Sequence, residues 1–82
     1  MKIEIITPDK KIYDGDIKSV RVPGQKGSFQ VLKDHAPIIS TLDSGKVYVV
    51  DQEGAEKIFE ISGGVIEVKA NVIILLADSV KQ

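Results

Sequence analysis

The chain has no cysteine, no tryptophan and a single histidine, His35. Without cysteine there can be no disulfide, thiolate metal site or cysteine nucleophile, so stability must come from packing. Eleven basic residues stand against twelve acidic ones, which gives a formal net charge of −1. Such a chain has no positive field to hold a nucleic-acid backbone or an anionic membrane surface. We therefore expect no nucleic-acid partner.

Long apolar runs are also missing. The longest, residues 72–77, has six residues, whereas a membrane-spanning helix needs roughly 20. Lys2 and Glu4 place charges in the first apolar stretch, which predicts no signal peptide. We expect a chain that stays in the compartment where it is made, with no segment inserted in the membrane.

β-branched residues dominate the apolar set. Twelve Ile and ten Val stand against four Leu and four Ala, a bias typical of strands rather than helices. Turn signals built from Gly, Pro, Asn and Asp recur about every ten residues, a spacing typical of a sandwich or barrel. The length allows one compact unit. The sequence therefore predicts a single all-β domain over residues 1–82.

The turn signals, including one at Asp14-Gly15, delimit the predicted strands. These are residues 2–7, 10–13, 16–22, 28–32, 46–51, 56–62, 64–69 and 71–77. A slip in apolar parity between Ile17 and Val20 predicts a β-bulge near Lys18. Residues 47–50 and 72–77 are apolar on both parities, which predicts either cover on both faces or contact with a partner.

Residues suited to catalysis or metal binding are sparse. His35 lies in a loop, residues 33–37, and a nucleophilic site would need a serine within its reach and an orienting acid such as Asp34. A metal site would need three or four converging ligands. We predict no catalytic residue, no metal site and no cofactor. An enzyme would instead show a pocket around His35 and lose turnover on His35→Ala.

One lysine supports an alternative function. Lys26, between Gln25 and Gly27, occupies a turn between two predicted strands, where lipoyl and biotinyl carrier domains place their modified lysine. Its flanks differ from the carrier pattern, which has an acid or Met next to the lysine. A solvated turn lysine is the simpler interpretation.

Six short motifs, taken in order, resemble the N-terminal domain of the epsilon subunit of F-type ATP synthase. They are Pro23-Gly24-x-x-Gly27, Phe29-x-Val31-Leu32, residues 35–42 (His-Ala-Pro-Ile-Ile-Ser-Thr-Leu), Gly45-Lys46-Val47, residues 61–68 and residues 72–78. The match covers essentially the whole chain, and the order and spacing of the motifs make it specific.

This resemblance implies a flattened β-sandwich of about ten short strands. It also implies a non-catalytic rotor subunit of the central stalk that grips the gamma subunit, rests on the ring of c subunits and couples proton flow to ATP synthesis. Such a subunit is peripheral to the cytoplasmic face of the bacterial plasma membrane. It is bound there through the complex, with no insertion of its own.

The resemblance also implies partner-binding residues. Ser28 and His35 fall where the family contacts the ring, and the predicted surface comprises Ser28, Asp34, His35, Ala36, Pro37 and Ile38. Ser28 stands where an acid is common in the family, and Asp34 replaces the usual glycine. One interpretation is that the family's negative charge has moved to Asp34. The alternative is that Ala36 and Pro37 form only a connecting turn.

Many family members continue into a helical hairpin that can extend and block ATP hydrolysis. This sequence ends at residue 82. If that end is natural, we expect no inhibition by hairpin extension; if it is a truncation, a regulatory part has been removed.

Overall fold

The computed structural model describes residues 1–81, which form nine strands and no helix. The strands are β1 (Lys2–Ile6), β2 (Lys11–Val22), β3 (Phe29–Leu32), β4 (Ile38–Leu42), β5 (Gly45–Asp51), β6 (Glu56–Ile61), β7 (Gly64–Lys69), β8 (Val72–Ala77) and β9 (Val80–Lys81). Over this range no helix could span a membrane. The all-β prediction is confirmed, with nine strands in the described residues where the resemblance implied about ten.

The strands form two sheets that share β2. Sheet I has the order β4-β7-β8-β1-β2, and sheet II has the order β3-β2-β5-β6-β9. Paired strands are antiparallel except β1 and β8, which are parallel. The first part of β2 pairs with β1 and the second with β3 and β5, so this strand carries the chain from one sheet to the other.

Strand β2 is continuous, so the turn predicted at Asp14-Gly15 is wrong. Asp14 pairs with Glu4 and Gly15 with Ile3 in the β1–β2 ladder, and Gly15 has no positive φ. The Tyr13 ring covers the glycine, because a Cβ at position 15 would lie 3.2 Å from Tyr13 Oη. An Asp-Gly pair favours a turn because both residues readily adopt left-handed backbone conformations. The backbone here is extended, so this preference has no effect.

The bulge predicted near Lys18 is confirmed. The register between β2 and β5 shifts between Ile17 and Ser19. As a result Ile17 and Val20 both point into the core, where they are 1 % and 0 % exposed. The extra residue re-aims the side chains, as the slip in parity indicated.

Both sheets contribute to one core, and the apolar parity of most strands is confirmed. The buried apolar side chains are Ile3, Ile5, Ile17, Val20, Val22, Val31, Leu42, Val47, Val49, Ile61, Ile66, Val68, Ile73, Leu75 and Ala77.

Strands β4 and β9 are absent from the predicted set. Strand β4 lies at the end of sheet I, where Ile38 and Ser40 are half-buried and Ile39 is exposed, so its apolar residues show no clean period. Strand β9 has two residues and pairs with the end of β6. Edge strands bury little on either face, so their sequences carry a weak periodic signal.

Candidate partner-binding surface

Strand β8 buries one face and exposes the other. Leu75 is 0 % exposed, whereas its neighbour Leu76 is 51 % exposed and Val72 is 45 % exposed. The fold therefore covers residues 72–77 on one face only. Of the two predicted alternatives, cover on both faces and contact with a partner, the second remains for the open face. Cross-strand neighbours extend this open side across sheet I. We call it the outer apolar face, and it comprises Ile6, Ile39, Val65, Val72, Ile74 and Leu76.

Charged side chains surround the outer apolar face. The strand registers place Lys69 and Lys2 on either side of Val72, and they place Glu67 and Glu4 on either side of Ile74. An apolar centre with a polar rim is the general composition of a protein–protein interface. The rim consists of Lys2, Glu4 and Lys69, whereas Glu67 lies within the face, between Ile39 and Ile74.

An ion-pair cluster fixes one part of this rim. Lys11 Nζ lies 2.8 Å from Glu4 Oε1 and 3.3 Å from Asp14 Oδ2. Glu4 and then Asp14 raise the pKa of Lys11, through hydrogen bonds and charge attraction. Because the lysine is exposed, the cluster contributes little to folding stability. Its effect is to orient Glu4 along the edge of the face.

The loop of residues 33–37 lies beside the outer apolar face. It leaves β3 and enters β4, which is the end strand of sheet I. A shallow groove runs from the loop onto the face, so the two form one continuous surface. The groove is lined by Pro37, Ile38, Ile39, Glu67, Val68 and Lys69.

The structure brings together five of the six predicted binding residues. Ala36 and Pro37 are exposed, and Ile38 is half-buried at the start of β4. Asp34 and His35 precede them in the same loop. Ser28, the sixth, immediately precedes β3 at the opposite end of that strand, about 13 Å away for four residues of strand. The assignment of these six residues to partner binding stays a prediction.

His35 is bonded within its own loop. Its backbone N–H donates to the Leu32 carbonyl at 3.1 Å, and its Nδ1 lies 2.7 Å from the Ala36 carbonyl, to which the ring N–H donates. The Asp34 carboxylate does not orient this imidazole. It accepts a hydrogen bond from Asn71, in the turn between β7 and β8. The contact of Asn71 with Asp34 was not predicted from the sequence, because the two residues are 37 positions apart.

A cleft lies away from this loop. Its volume is about 660 Å³, and it opens at the other end of β7 and β8, where Gly64 and Ala77 meet. Its lining includes Asp43 and Asp78 but not His35. Among residues 1–81, no three His, Asp or Glu side chains are close enough together to hold a metal ion.

The outer face of sheet II is more mixed. Tyr48 and Val50 are half-buried, and the Arg21 guanidinium lies 4.7 Å from the centre of the Tyr48 ring. Ile58 and Leu32 are each 52 % exposed, but they lie on β6 and β3, with β2 and β5 between them. Of the two stretches predicted to meet a partner, residues 72–77 therefore present the more continuous apolar surface.

Comparison with known sequences gives a consistent result. Residues 1–82 match the family described as ATP synthase, delta/epsilon chain, beta-sandwich domain. The ATP synthase epsilon chain of Chlorobaculum tepidum is 46 % identical over 78 residues, which cover 95 % of this chain and 89 % of the relative. That of Chlorobium limicola is 43 % identical over 79 residues, or 96 % of this chain and 90 % of the relative.

Solved structures show the same fold. A chain of the Euglena gracilis mitochondrial ATP synthase structure of OSCP, F1 and c-ring aligns with a TM-score of 0.88 at 19 % identity over 96 % of this chain. A chain of the Tetrahymena thermophila mitochondrial ATP synthase central stalk and c-ring aligns over 100 % of this chain, with a TM-score of 0.82 at 17 % identity. This chain spans 51 % and 66 % of those two chains.

Proposed function

This chain belongs to the family of ATP synthase delta/epsilon β-sandwich domains, and from that premise we propose that it is a central-stalk rotor subunit linking the gamma subunit to the c ring. In this role it couples proton flow to ATP synthesis by transmitting rotation, and it makes or breaks no bond itself. It binds peripherally, through the complex, at the cytoplasmic face of the bacterial plasma membrane.

The outer apolar face is the observation that carries this proposal. Its most exposed member, Ile39, is 73 % exposed, and Leu76, which lies between Val65 and Ile6 on the neighbouring strands, is 51 % exposed. Exposed apolar surface of this kind marks an interaction site. We assign the outer apolar face to gamma. An interface that transmits torque between two subunits needs a broad apolar contact rather than scattered polar contacts.

The loop of residues 33–37 extends the proposed gamma contact. Its groove is continuous with the outer apolar face through Ile38 and Ile39, so a partner seated on the face would reach Pro37. Ser28 lies beyond β3, separate from this surface. We assign Ser28 to the c ring, and His35, which the resemblance also places at the ring, to the part of the loop that lies near both the ring and gamma.

The core of the domain supports a mechanical role. Fifteen buried apolar side chains from both sheets form one cluster, and such close-packed interiors open locally only at appreciable cost in free energy. Residues 1–81 contain no helix, so we assign to them no inhibition by an extending helical hairpin. The lysine of the carrier alternative, Lys26, is exposed in the turn between β2 and β3, but family membership favours the epsilon assignment.

Size-exclusion chromatography with the gamma subunit from the same source tests the proposal. The wild-type chain should co-elute with gamma in a one-to-one peak. Leu76→Asp should abolish co-elution, because it puts a charge in the proposed contact. Ile58→Asp is the matched control, equally exposed at 52 % but on sheet II, and it should co-elute. Separate elution of folded wild-type protein and gamma would contradict the proposal, and the intact mass at Lys26 would then test the carrier alternative.

A further inference from the structure

Two side chains join the loop of residues 33–37 to the turn between β7 and β8. The Asp34 backbone N–H donates to Asn71 Oδ1 at 2.7 Å, and Asn71 Nδ2 donates to Asp34 Oδ1 at 3.0 Å. Each residue therefore both donates and accepts. We call them the Asp34–Asn71 pair. It connects the loop after β3 with the turn between β7 and β8, across 37 residues of sequence.

The backbone at both residues is left-handed. Asp34 has a φ of 65° and Asn71 a φ of 63°, and Ala70 beside Asn71 has a φ of 51°. Asp and Asn tolerate this region better than other residues with a side chain, although glycine would fit more easily. Glycine at position 71 would supply neither hydrogen bond, and glycine at position 34 would keep the N–H donor but lose the carboxylate acceptor. The two residues thus combine the required backbone geometry with side chains that meet.

The turn that carries Asn71 is itself fixed. Lys69 pairs with Val72, so Ala70 and Asn71 form a two-residue hairpin turn between β7 and β8. The Lys2 backbone N–H donates to the Asn71 carbonyl at 2.9 Å, which joins the turn to β1. Asn71 is therefore held in place by its turn and by β1, and its hydrogen bonds to Asp34 anchor the more exposed loop.

We propose that the Asp34–Asn71 pair is a positioning pair that holds the loop in its binding conformation beside the outer apolar face. The proposal rests on the assignment of this loop to the gamma contact. Ordering a flexible loop during binding costs free energy and lowers the affinity. A loop that is already ordered avoids this cost. The pair thus presents Ala36 and Pro37 to gamma without contacting gamma itself. The Asp34 carboxylate serves this internal bond, rather than supplying a free charge for the partner.

Asn71→Gly tests the pair, because glycine keeps the left-handed turn and removes both hydrogen bonds. In the free chain we expect the Asp34 amide to exchange with solvent about tenfold faster, and the affinity for gamma to fall about fivefold to tenfold. Ala70→Gly is the control: it changes the same turn without touching the pair, and both readouts should stay at wild-type values. Chemical denaturation of each variant shows whether overall stability has changed.

A swap of the two side chains separates positioning from a general structural effect. Asn71→Asp sets two carboxylates against each other and should weaken gamma binding. Adding Asp34→Asn again places an amide opposite a carboxylate, with the two side chains exchanged. The side-chain oxygen at position 71 still accepts a hydrogen bond from the backbone N–H at position 34. The double variant should therefore regain most of the affinity and the amide protection that Asn71→Asp loses.

Three results would overturn the inference. The first is an unchanged rate of Asp34 amide exchange in Asn71→Gly. The second is faster exchange in that variant with an unchanged affinity for gamma. The third is a double variant that binds gamma no better than Asn71→Asp alone. Failure of the proposed function is distinguishable, because wild-type protein would then not bind gamma, while the exchange measurement on the free chain would still show whether the pair orders the loop.

Discussion

Leu75 and Leu76 are adjacent in β8 and identical in chemistry, but they lie on opposite faces. Leu75 is 0 % exposed and pairs with Ile5 on one side and Ile66 on the other, both also 0 % exposed. Leu76 is 51 % exposed on the outer apolar face, between Val65 and Ile6 of the neighbouring strands. Truncating each to alanine therefore separates the fold from the proposed interface.

Leu75→Ala should reduce the free energy of unfolding by about 2–5 kcal/mol, because it leaves a cavity in a close-packed core. An 82-residue domain has about 4–12 kcal/mol in total, and each kcal/mol shifts Tm by about 4–8 °C at this size. We therefore expect Tm to fall by at least about 8 °C. Leu76→Ala should change stability by less than about 1 kcal/mol and weaken gamma binding about tenfold.

The assays are urea denaturation for stability and titration calorimetry for gamma affinity, at a temperature where both variants are folded. Leu75→Ala should bind gamma nearly as well as wild type once it is folded. Equal losses of stability in the two variants would refute the assignment of the faces. Unchanged gamma affinity in Leu76→Ala would refute the assignment of the interface.

Two further predictions concern the fold. Gly64→Ala should destabilise the domain by at least about 2 kcal/mol, because its Cβ would collide with the Leu76 carbonyl oxygen and lie 3.0 Å from Ala77 Cα; stability near wild type in urea denaturation would contradict this close approach. Glu4 and Asp14 raise the pKa of Lys11 above its ordinary 10.5, so the stabilisation by this cluster is complete below pH 10.5 and is lost as the pH rises through the raised pKa. Glu4→Gln should lower the Lys11 pKa toward 10.5 in an NMR titration, and no change would contradict the ion pair.

Much of the fold could be predicted from local periodicity. The alternation around Ile3 and Ile5 and the slip before Val20 each follow from which side of a strand must be buried, and the structure confirms them. The predicted turn at Asp14-Gly15 failed because composition alone does not show that a neighbouring strand continues the ladder. Strand β4 was missed because an edge strand buries too little to impose a period.

The candidate site divides in the same way. Apolar residues on both parities of β8 predicted that both of its faces would be covered, by the fold or by a partner. The structure identifies the face with Leu76 and Val72 as the one that the fold leaves open. The loop containing His35 was found through motif resemblance. The Asp34–Asn71 pair was not predictable, because its partners meet only when β3 and the β7–β8 turn are brought together by the fold.

Site-specific photo-crosslinking in the assembled synthase tests the central claim most directly. A photoreactive phenylalanine analogue in place of Leu76 should crosslink to the gamma subunit, with the product identified by mass spectrometry. The same analogue in place of Ile58, which is equally exposed on sheet II, should give no gamma product. A gamma crosslink from position 58 and none from position 76 would contradict the account, because it would place gamma on the opposite sheet.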